Sequence, residues 1–332
     1  MKRSCSILQS QGPRWLLLMG LMVLPQVARA QWKATVGAEN RSMGHQALAF
    51  LPNEIWIHAG DNVTWTFNSV EIHTVTFLEL AQVRLPFDVG CPGFASGETG
   101  SFDGSTCLST APLTKGQKFT VAFPAIGNFK LVCLVHQNMT GVIHVLSVGE
   151  RLPHWQDFYD DEAAQQLKAL LSDDDLDREQ AQIAADHDDR NTNSVMVGMG
   201  EVTANGGGSR TFSVMRFMDA AKTIHAGDTV EWTNLDPATP HTITFGVEPM
   251  NPVFPVNAIL DPDGALHGTI SSAADSVHSG LVLATPQDQM FLPTPTLTVT
   301  RFRVTFTHAG VFPYICALHD GLGMKGKITV LP

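Results

Sequence analysis

Two ten-residue stretches of this chain are almost identical: IHAGDNVTWT at residues 57–66 and IHAGDTVEWT at residues 224–233. They agree at eight of ten positions, which chance does not produce in a chain of 332 residues. In each stretch an Ala-Gly-Asp turn signal is followed by alternating apolar and polar residues, a pattern typical of strands joined by a turn. The chain is therefore predicted to hold two copies of one all-β unit.

Two further blocks recur downstream, in the same order and at nearly the same distance. HTVTF at residues 73–77 is echoed by HTITF at residues 241–245. Both copies then end in the pattern Met-x-Gly-x-Ile-x-Val, at residues 139–145 and 324–330. The repeat therefore extends over most of each half of the chain.

Length and composition agree with two β domains. A chain of 332 residues is expected to form two domains, which we place at residues 31–148 and 194–332. The 28 Gly and 19 Pro residues favour short strands joined by turns, so each domain is predicted to be a β-sandwich. The formal net charge of −11 argues against nucleic-acid binding, which needs a basic surface, and any charged partner is expected to be basic.

The segment between the domains, residues 149–193, is predicted to be an acidic, partly helical linker. Residues 150–193 contain 13 acidic and four basic side chains. An acidic start at residues 160–162 precedes apolar residues at helical spacing, which predicts one or two short helices. These apolar residues are Ala163, Leu167, Leu170 and Leu171. We expect the linker to be solvated and its charge to steer a basic partner.

The first thirty residues have the order of a secretory signal peptide. Three basic residues precede the apolar run WLLLMGLMVL at residues 15–24, which leads to Ala28-Arg29-Ala30. We expect cleavage near Ala30 and a secreted or periplasmic protein. The run is too short to cross a bilayer and no later segment approaches the necessary length, so no membrane span is predicted.

Five cysteines sort by their position in the chain. Cys5 lies in the predicted signal peptide. Cys91 and Cys107 bracket a Gly/Ser-rich loop, and a disulfide between them is plausible in an oxidising compartment. Cys133 and Cys316 remain, and a bridge between them, within or between chains, is one interpretation.

Each copy also carries four potential metal ligands in the same order. A histidine, His73 or His241, lies upstream, and a Cys, a His and a Met follow in CLVHQNM at residues 133–139 and CALHDGLGM at residues 316–324. One thiolate, two imidazoles and a thioether form the ligand set of a blue-copper electron-transfer site. Soft sulfur suits Cu(I) and imidazole suits both oxidation states, so such a set needs little rearrangement when the metal cycles.

These spacings resemble those of the cupredoxin family. The Cys-x2-His-x4-Met loop of the second domain, with Tyr314 and Pro240-His241, is similar to that of plastocyanin, and the shorter Cys-x2-His-x2-Met loop of the first domain is similar to that of amicyanin. The resemblance implies two tandem Greek-key β-sandwiches with one type 1 copper in each. The implied copper ligands are His73, Cys133, His136 and Met139 in the first domain and His241, Cys316, His319 and Met324 in the second.

Some residues depart from the family pattern or invite a structural interpretation. Thr74 and Thr242 follow the upstream histidines where the family usually has Asn, and a Thr hydroxyl is expected to tie the ligand loops together in a similar way. The long spacing from upstream His to Cys implies insertions near residues 84–115 and 246–296, to which no role is assigned. Other residues are interpreted as structural: His58 and His225 in turns, Met196, Met199, Met215 and Met218 in the core, and His267 and His278 at the surface.

The favoured function is electron transfer by two type 1 coppers, with redox proteins as partners. The resemblance places the imidazole edges of His136 and His319 at the surface, as exits for electrons. Two alternatives are kept: a two-domain copper oxidoreductase similar to the laccases or nitrite reductases, and a copper storage or delivery protein. We expect no enzymatic activity. Neither Cys133 nor Cys316 has a neighbouring histidine that could couple its copper to a second copper site, and the chain has no His-x-His pair of the kind that a trinuclear oxidase cluster needs. The sequence leaves the oligomeric state open.

Overall fold

The computed structural model describes residues 29–84, 91, 98–171, 193–284 and 298–332, and within them the chain is almost entirely β. The described strands of the first domain are β1 (Gln31–Glu39), β2 (His45–Leu51), β3 (Glu54–His58), β4 (Asn62–Phe67), β5 (Thr76–Phe77), β6 (Thr99–Ser101), β7 (Leu108–Ser109), β8 (Lys118–Ala122), β9 (Gly127–Val132) and β10 (Thr140–Leu146). A helix, α1 (Gln156–Leu171), follows. The described strands of the second domain are β11 (Ser194–Asn205), β12 (Gly208–Met218), β13 (Ala221–His225), β14 (Thr229–Leu235), β15 (Thr244–Phe245), β16 (Ala258–Leu260), β17 (Leu266–Ile270), β18 (Val277–His278), β19 (Arg301–Phe306), β20 (Gly310–Ile315) and β21 (Lys325–Leu331).

Each domain is a sandwich of two sheets. In the first domain one layer has the strand order β2-β1-β4-β8-β6 and the other has β3-β10-β9-β5-β7. In the second domain the layers are β16-β17-β19-β14-β11-β12 and β13-β21-β20-β15-β18. Most neighbours in each sheet are not consecutive in the chain, so the connections cross from layer to layer as in Greek-key sandwiches. The predicted fold class is confirmed.

The repeated Ala-Gly-Asp stretch forms the same turn in both domains. Gly60 and Gly227 have φ of 97° and 99°, a backbone region that side chains with a Cβ rarely adopt. The Asp61 carboxylate accepts a hydrogen bond from the His58 backbone N–H at 3.0 Å, closing the turn. β4 then buries alternate residues toward the core.

The two sandwiches share one continuous sheet. β12 pairs antiparallel with β2, which joins the two larger layers into an 11-stranded sheet within the described residues. Gln46 lies opposite Ser213, and these residues occupy equivalent positions of the repeat. Their neighbours pair crosswise, Ala47 with Phe212 and His45 with Val214, as a local two-fold axis between Gln46 and Ser213 requires.

Helix α1 lies against this shared sheet and contacts β1, β2 and β12. The predicted helical face is confirmed, because Leu170 is buried and Ala163, Leu167 and Leu171 pack beside it. The Tyr159 hydroxyl accepts a hydrogen bond from the Trp56 backbone N–H at 2.8 Å. The expectation of a solvated linker is therefore wrong for this part, since burial of an apolar face holds the helix to the sheet. Residues 172–192 lie outside the described part.

The four methionines of β11 and β12 and the side chain of His278 are buried. All four methionines assigned to the core are buried: Met196, Met199, Met215 and Met218. His278 was expected at the surface and this was wrong, because β18 pairs with β15 and buries its imidazole against the Thr244 hydroxyl at 2.8 Å. Among the described residues no helix is long and apolar enough to span a membrane.

The cysteines pair as the loop composition suggested. Cys91 and Cys107 form a disulfide, with their Cα atoms 5.5 Å apart. Cys133 and Cys316 are free and buried, each in its own domain. The interpretation of a bridge between those two is therefore wrong, because each thiol faces histidines of its own sandwich.

We predict that the disulfide stabilises the first domain. Its cysteines are 16 positions apart, and a loop of that size contributes about 3 kcal/mol by restricting the unfolded chain. The Cys91→Ala/Cys107→Ala double variant should lower the free energy of unfolding by about that amount, measured by urea denaturation of the metal-free protein. Wild-type protein with reductant serves as the control. An unchanged midpoint in both cases would contradict the prediction.

Candidate metal centres

In the first domain, three elements bring the predicted site residues together. His73 follows β4 and is held by a two-way backbone hydrogen bond with Leu113, at 2.9 and 2.8 Å. Cys133 comes directly after β9, and Met139 comes directly before β10. The Cys133 backbone N–H donates to the Met139 carbonyl at 3.0 Å, which closes the loop containing His136.

The second domain repeats this construction with a longer loop. His241 is paired in the same two-way manner with Val282. Cys316 follows β20, and its backbone N–H donates to the carbonyl of Met324 at 3.1 Å. A single 3-10 turn takes up the extra residues and ends at Gly323, whose φ of 96° suits glycine.

The three nitrogen and sulfur atoms of each site form a triangle of the size that a metal requires. The two histidine Nδ1 atoms are 3.1 Å apart in both domains. The Cys133 Sγ atom lies 4.0 and 3.7 Å from these nitrogens, and the Cys316 Sγ atom lies 3.9 and 3.5 Å from its own pair. With metal–nitrogen bonds of about 2.0 Å and metal–sulfur bonds of about 2.3 Å, as zinc makes, a planar three-ligand site has edges of about 3.5 and 3.7 Å.

The donor set therefore fits a metal ion at the centre of each triangle. All six triangle residues are buried, as are both methionines, Met139 and Met324. The structure thus brings together the cysteine and both histidines predicted in each site, and the backbone of each predicted methionine adjoins its cysteine. Their role as copper ligands stays a prediction.

The surroundings of each cysteine favour its ionised form. Burial raises the pKa of Cys133, but hydrogen bonds and positive charge from His136 and His73 outweigh burial and hold that pKa well below its usual range. The pKa of Cys316 is lowered in the same way by His319 and His241 against the effect of burial. A thiolate is the form that binds metal, so both sites are prepared for one.

A threonine beside each upstream histidine ties the two ligand loops together, as expected. The Thr74 hydroxyl accepts a hydrogen bond from the Leu134 backbone N–H at 2.8 Å, and the Thr74 backbone N–H donates to the Cys133 sulfur at 3.4 Å. Thr242 makes the equivalent contacts with the Ala317 N–H at 2.7 Å and the Cys316 sulfur at 3.3 Å. Threonine therefore replaces the usual asparagine in this function.

The outer nitrogen of each upstream histidine also has a polar neighbour. The Nε2 atom of His73 lies 2.9 Å from the Ser69 hydroxyl. The Nε2 atom of His241 lies 3.5 Å from the carboxylate of Asp236, which backbone N–H groups of Ala238 and Thr239 hold in place. Such contacts orient a metal-binding imidazole and leave its inner nitrogen free for the metal.

The two loop histidines do not reach the surface, so the expectation of exposed imidazole edges was wrong. His136 and His319 are only 1% and 3% exposed, because the ligand loops of the two domains face each other. Between them lies Glu71, whose Oε1 is 3.5 Å from His136 Nε2 and whose Oε2 is 3.7 Å from His319 Nε2. Sequence reasoning missed Glu71, although a lone acid two residues before a ligand histidine was a signal.

The comparisons with known proteins agree with this geometry. The profile of the copper binding proteins of the plastocyanin/azurin family matches residues 38–146 and 204–331. The chain belongs to this copper-binding family. The resemblance to cupredoxins is thereby confirmed, and both domains fall within it.

Individual relatives match one domain at a time. Plastocyanin of Scenedesmus fuscus is 29% identical over 114 residues, which cover 34% of this chain and 85% of that protein. Chloroplastic plastocyanin of Tetradesmus obliquus is 30% identical over 114 residues, covering 34% of this chain and 57% of that protein. The solved plastocyanin of Dryopteris crassirhizoma matches 42% of this chain and 99% of its own at 20% identity, with a TM-score of 0.22.

Other solved structures extend over both domains, and they correct one expectation. A copper-containing nitrite reductase from Thermus scotoductus and a multicopper oxidase each cover 91% of this chain at 14% identity, with TM-scores of 0.21 and 0.22, and cover 68% and 87% of their own chains. The prediction that the chain is not an enzyme is contradicted by these matches, which are to a nitrite reductase and to multicopper oxidases. That prediction rested on the sequence beside Cys133 and Cys316, where no histidine stands.

We predict that metal uptake by the metal-free protein releases about one proton per site. Burial lowers the pKa of His136, but the Cys133 and Glu71 side chains outweigh it and raise that pKa to about 9. Asp236 and Cys316 raise the pKa of His241 to about 9 in the same way, against the effect of burial. Both imidazoles are therefore protonated at neutral pH and must lose that proton to bind a metal.

The affinity for Zn²⁺ should accordingly rise about tenfold per pH unit as the pH approaches 9, and level off above it. Titration calorimetry in two buffers of different ionisation enthalpy counts the released protons. An affinity that does not change between neutral pH and pH 9, with no proton released, would contradict the assignment.

Proposed function

We propose that each domain holds one type 1 copper and that the protein carries electrons, one per copper. The observation that carries the proposal is the buried triangle of one thiolate and two imidazoles, present with nearly the same dimensions in both domains. Bound copper would supply a centre that changes between Cu(I) and Cu(II) by one electron.

The protein contributes to this function by holding the metal ligands rigidly. Each ligand loop is closed by a Cys-to-Met backbone hydrogen bond and tied to the upstream histidine by Thr74 or Thr242. A site that keeps its shape in both oxidation states needs little reorganisation when an electron moves. Backbone N–H groups that point at the sulfur also stabilise its negative charge. These features support rapid electron transfer and slow release of the metal.

Substitution of either cysteine should remove one copper centre and leave the other. Cys133→Ser and Cys316→Ser should each lose one copper and one intense thiolate-to-Cu(II) absorption band, and the double variant should be colourless. Copper analysis, visible absorption and EPR measure this. His58→Gln and His225→Gln are matched controls, since these histidines also repeat but lie at the ends of β3 and β13, outside the metal sites. Full copper content and colour in either Ser variant would refute the proposal for that domain.

We further propose that the protein acts outside the cytoplasm and exchanges electrons with a basic redox protein. The first strand begins at Gln31, directly after the predicted cleavage position at Ala30. The acidic residues at 150–193 give the chain a concentrated negative charge that supports attraction of a basic partner.

Electron exchange with a basic redox protein should therefore slow as ionic strength rises, since the screening length is about 8 Å at physiological salt. Asn substitution of Asp173, Asp174 and Asp175, which lie outside the described residues, should flatten that dependence. Stopped-flow kinetics across a salt series measure both effects. A salt dependence that the substitutions leave unchanged would show that these acids do not steer the partner.

A further inference from the structure

One acidic side chain contacts ligand loops of both domains. Glu71 is 8% exposed and lies between β4 and His73 in the first domain. Its Oε1 faces His136 of its own domain, and its Oε2 faces His319 of the other. The separations of 3.5 and 3.7 Å are those of ion pairs and are longer than closed hydrogen bonds. One carboxylate thus places one oxygen beside a ligand histidine of each metal site.

The domain interface holds the second ligand loop against Glu71. Leu322, from that loop, packs into the apolar core of the first domain. Arg216 donates to the Leu322 carbonyl and to the Ser42 carbonyl, each at 2.7 Å, so one guanidinium joins the ligand loop of one domain to the other domain. The contact of Glu71 with His319 is therefore built into the interface.

The tautomers expected for His136 and His319 allow both imidazoles to donate to Glu71. In both sites the Nδ1 atoms lie nearest the cysteine sulfur and each other, so they are the metal-facing atoms. A neutral imidazole that gives Nδ1 to a metal carries its proton on Nε2. With metal in both sites, His136 and His319 would each direct an N–H toward the same carboxylate.

The second domain has no carboxylate at the repeat position that matches Glu71, which is Ala238. Its acid, Asp236, is buried within its own domain against His241, and Ala238 packs into the core of the first domain. Only the first domain therefore places a carboxylate between the two loops among the described residues. A second acid there would bring two like charges together in a buried site, which is costly.

We propose that His136, Glu71 and His319 form a direct connection through which the two metal centres of one chain exchange an electron. The exchange rests on the proposed function, since both sites must hold copper. One electron leaves the centre of one domain, which is oxidised from Cu(I) to Cu(II), and reduces the other from Cu(II) to Cu(I). Glu71 keeps its charge and both imidazoles keep their Nε2 protons, so no proton is released or taken up.

The contact itself can be tested without redox chemistry. In protein loaded with Zn²⁺ at both sites, ¹⁵N NMR of the imidazoles should show that Glu71→Gln shifts the Nε2 signals of both His136 and His319. The amide has the charge of neither carboxylate oxygen, and it turns an NH2 group, a donor, toward one of the two imidazole N–H groups. Glu54→Gln is the matched control, since Glu54 lies 3.0 Å from His144 Nε2, away from the metal sites, and it should shift neither. A shift of His136 alone would overturn the proposal.

The exchange is tested in copper-loaded protein that has received one electron per chain by pulse radiolysis. The wild type and Glu54→Gln should show a redistribution between the two centres at a rate independent of protein concentration. In Glu71→Gln this rate should fall about tenfold or more, as is typical when a group behind a metal ligand is lost. If Glu71→Gln does not fold, Glu71→Asp, which keeps the charge but shortens the reach, should slow the exchange likewise.

Each outcome separates this proposal from the proposed function. Two normal copper bands with redistribution proportional to protein concentration, or at wild-type rate in the Glu71 variants, would overturn the connection and leave the electron carrier standing. If the sites take up no copper, the proposed function and the electron exchange both fail, and the zinc measurement still decides whether Glu71 joins the two sites.

Discussion

The antiparallel pairing of β2 with β12 determines where the rest of the molecule lies. It merges two sandwiches into one 11-stranded sheet within the described residues and relates them by a local two-fold axis at Gln46 and Ser213. That axis turns the ligand loops of the two domains toward each other instead of toward solvent. It also creates the continuous surface on which helix α1 packs. The burial of the metal sites thus follows from a strand pairing that contains no metal ligand.

Much of each site could be predicted from the sequence, because its construction is local and repeated. The ligand spacing follows from a loop that begins after one strand and ends before the next, closed by a Cys-to-Met hydrogen bond. Thr74 and Thr242 could be recognised because each adjoins a ligand and makes a bond that asparagine makes elsewhere. The Cys91–Cys107 disulfide could be predicted because the two cysteines bracket one loop.

The features that escaped prediction depend on contacts between distant parts of the chain. The expected exposure of His136 and His319 came from single-domain proteins and failed here because a second domain covers them. The position of Glu71 between the two sites depends on its contact with His319, in the other domain. His278 was misplaced because its insertion folds back as a strand against β15.

The local two-fold axis has a consequence for a chain that contains both halves of a symmetric pair. Two identical domains meeting through the same strand edge would carry every interface residue twice, so a carboxylate at the axis would meet its own copy. When the two domains are joined in one chain, their association becomes intramolecular, with an effective concentration on the order of millimolar. The pairing of the domains then no longer weakens when the protein is diluted. A single chain also lets the halves diverge, with Glu71 on one side and Ala238 on the other. A single asymmetric contact between matching sites is possible in such a fusion but not in a strict homodimer.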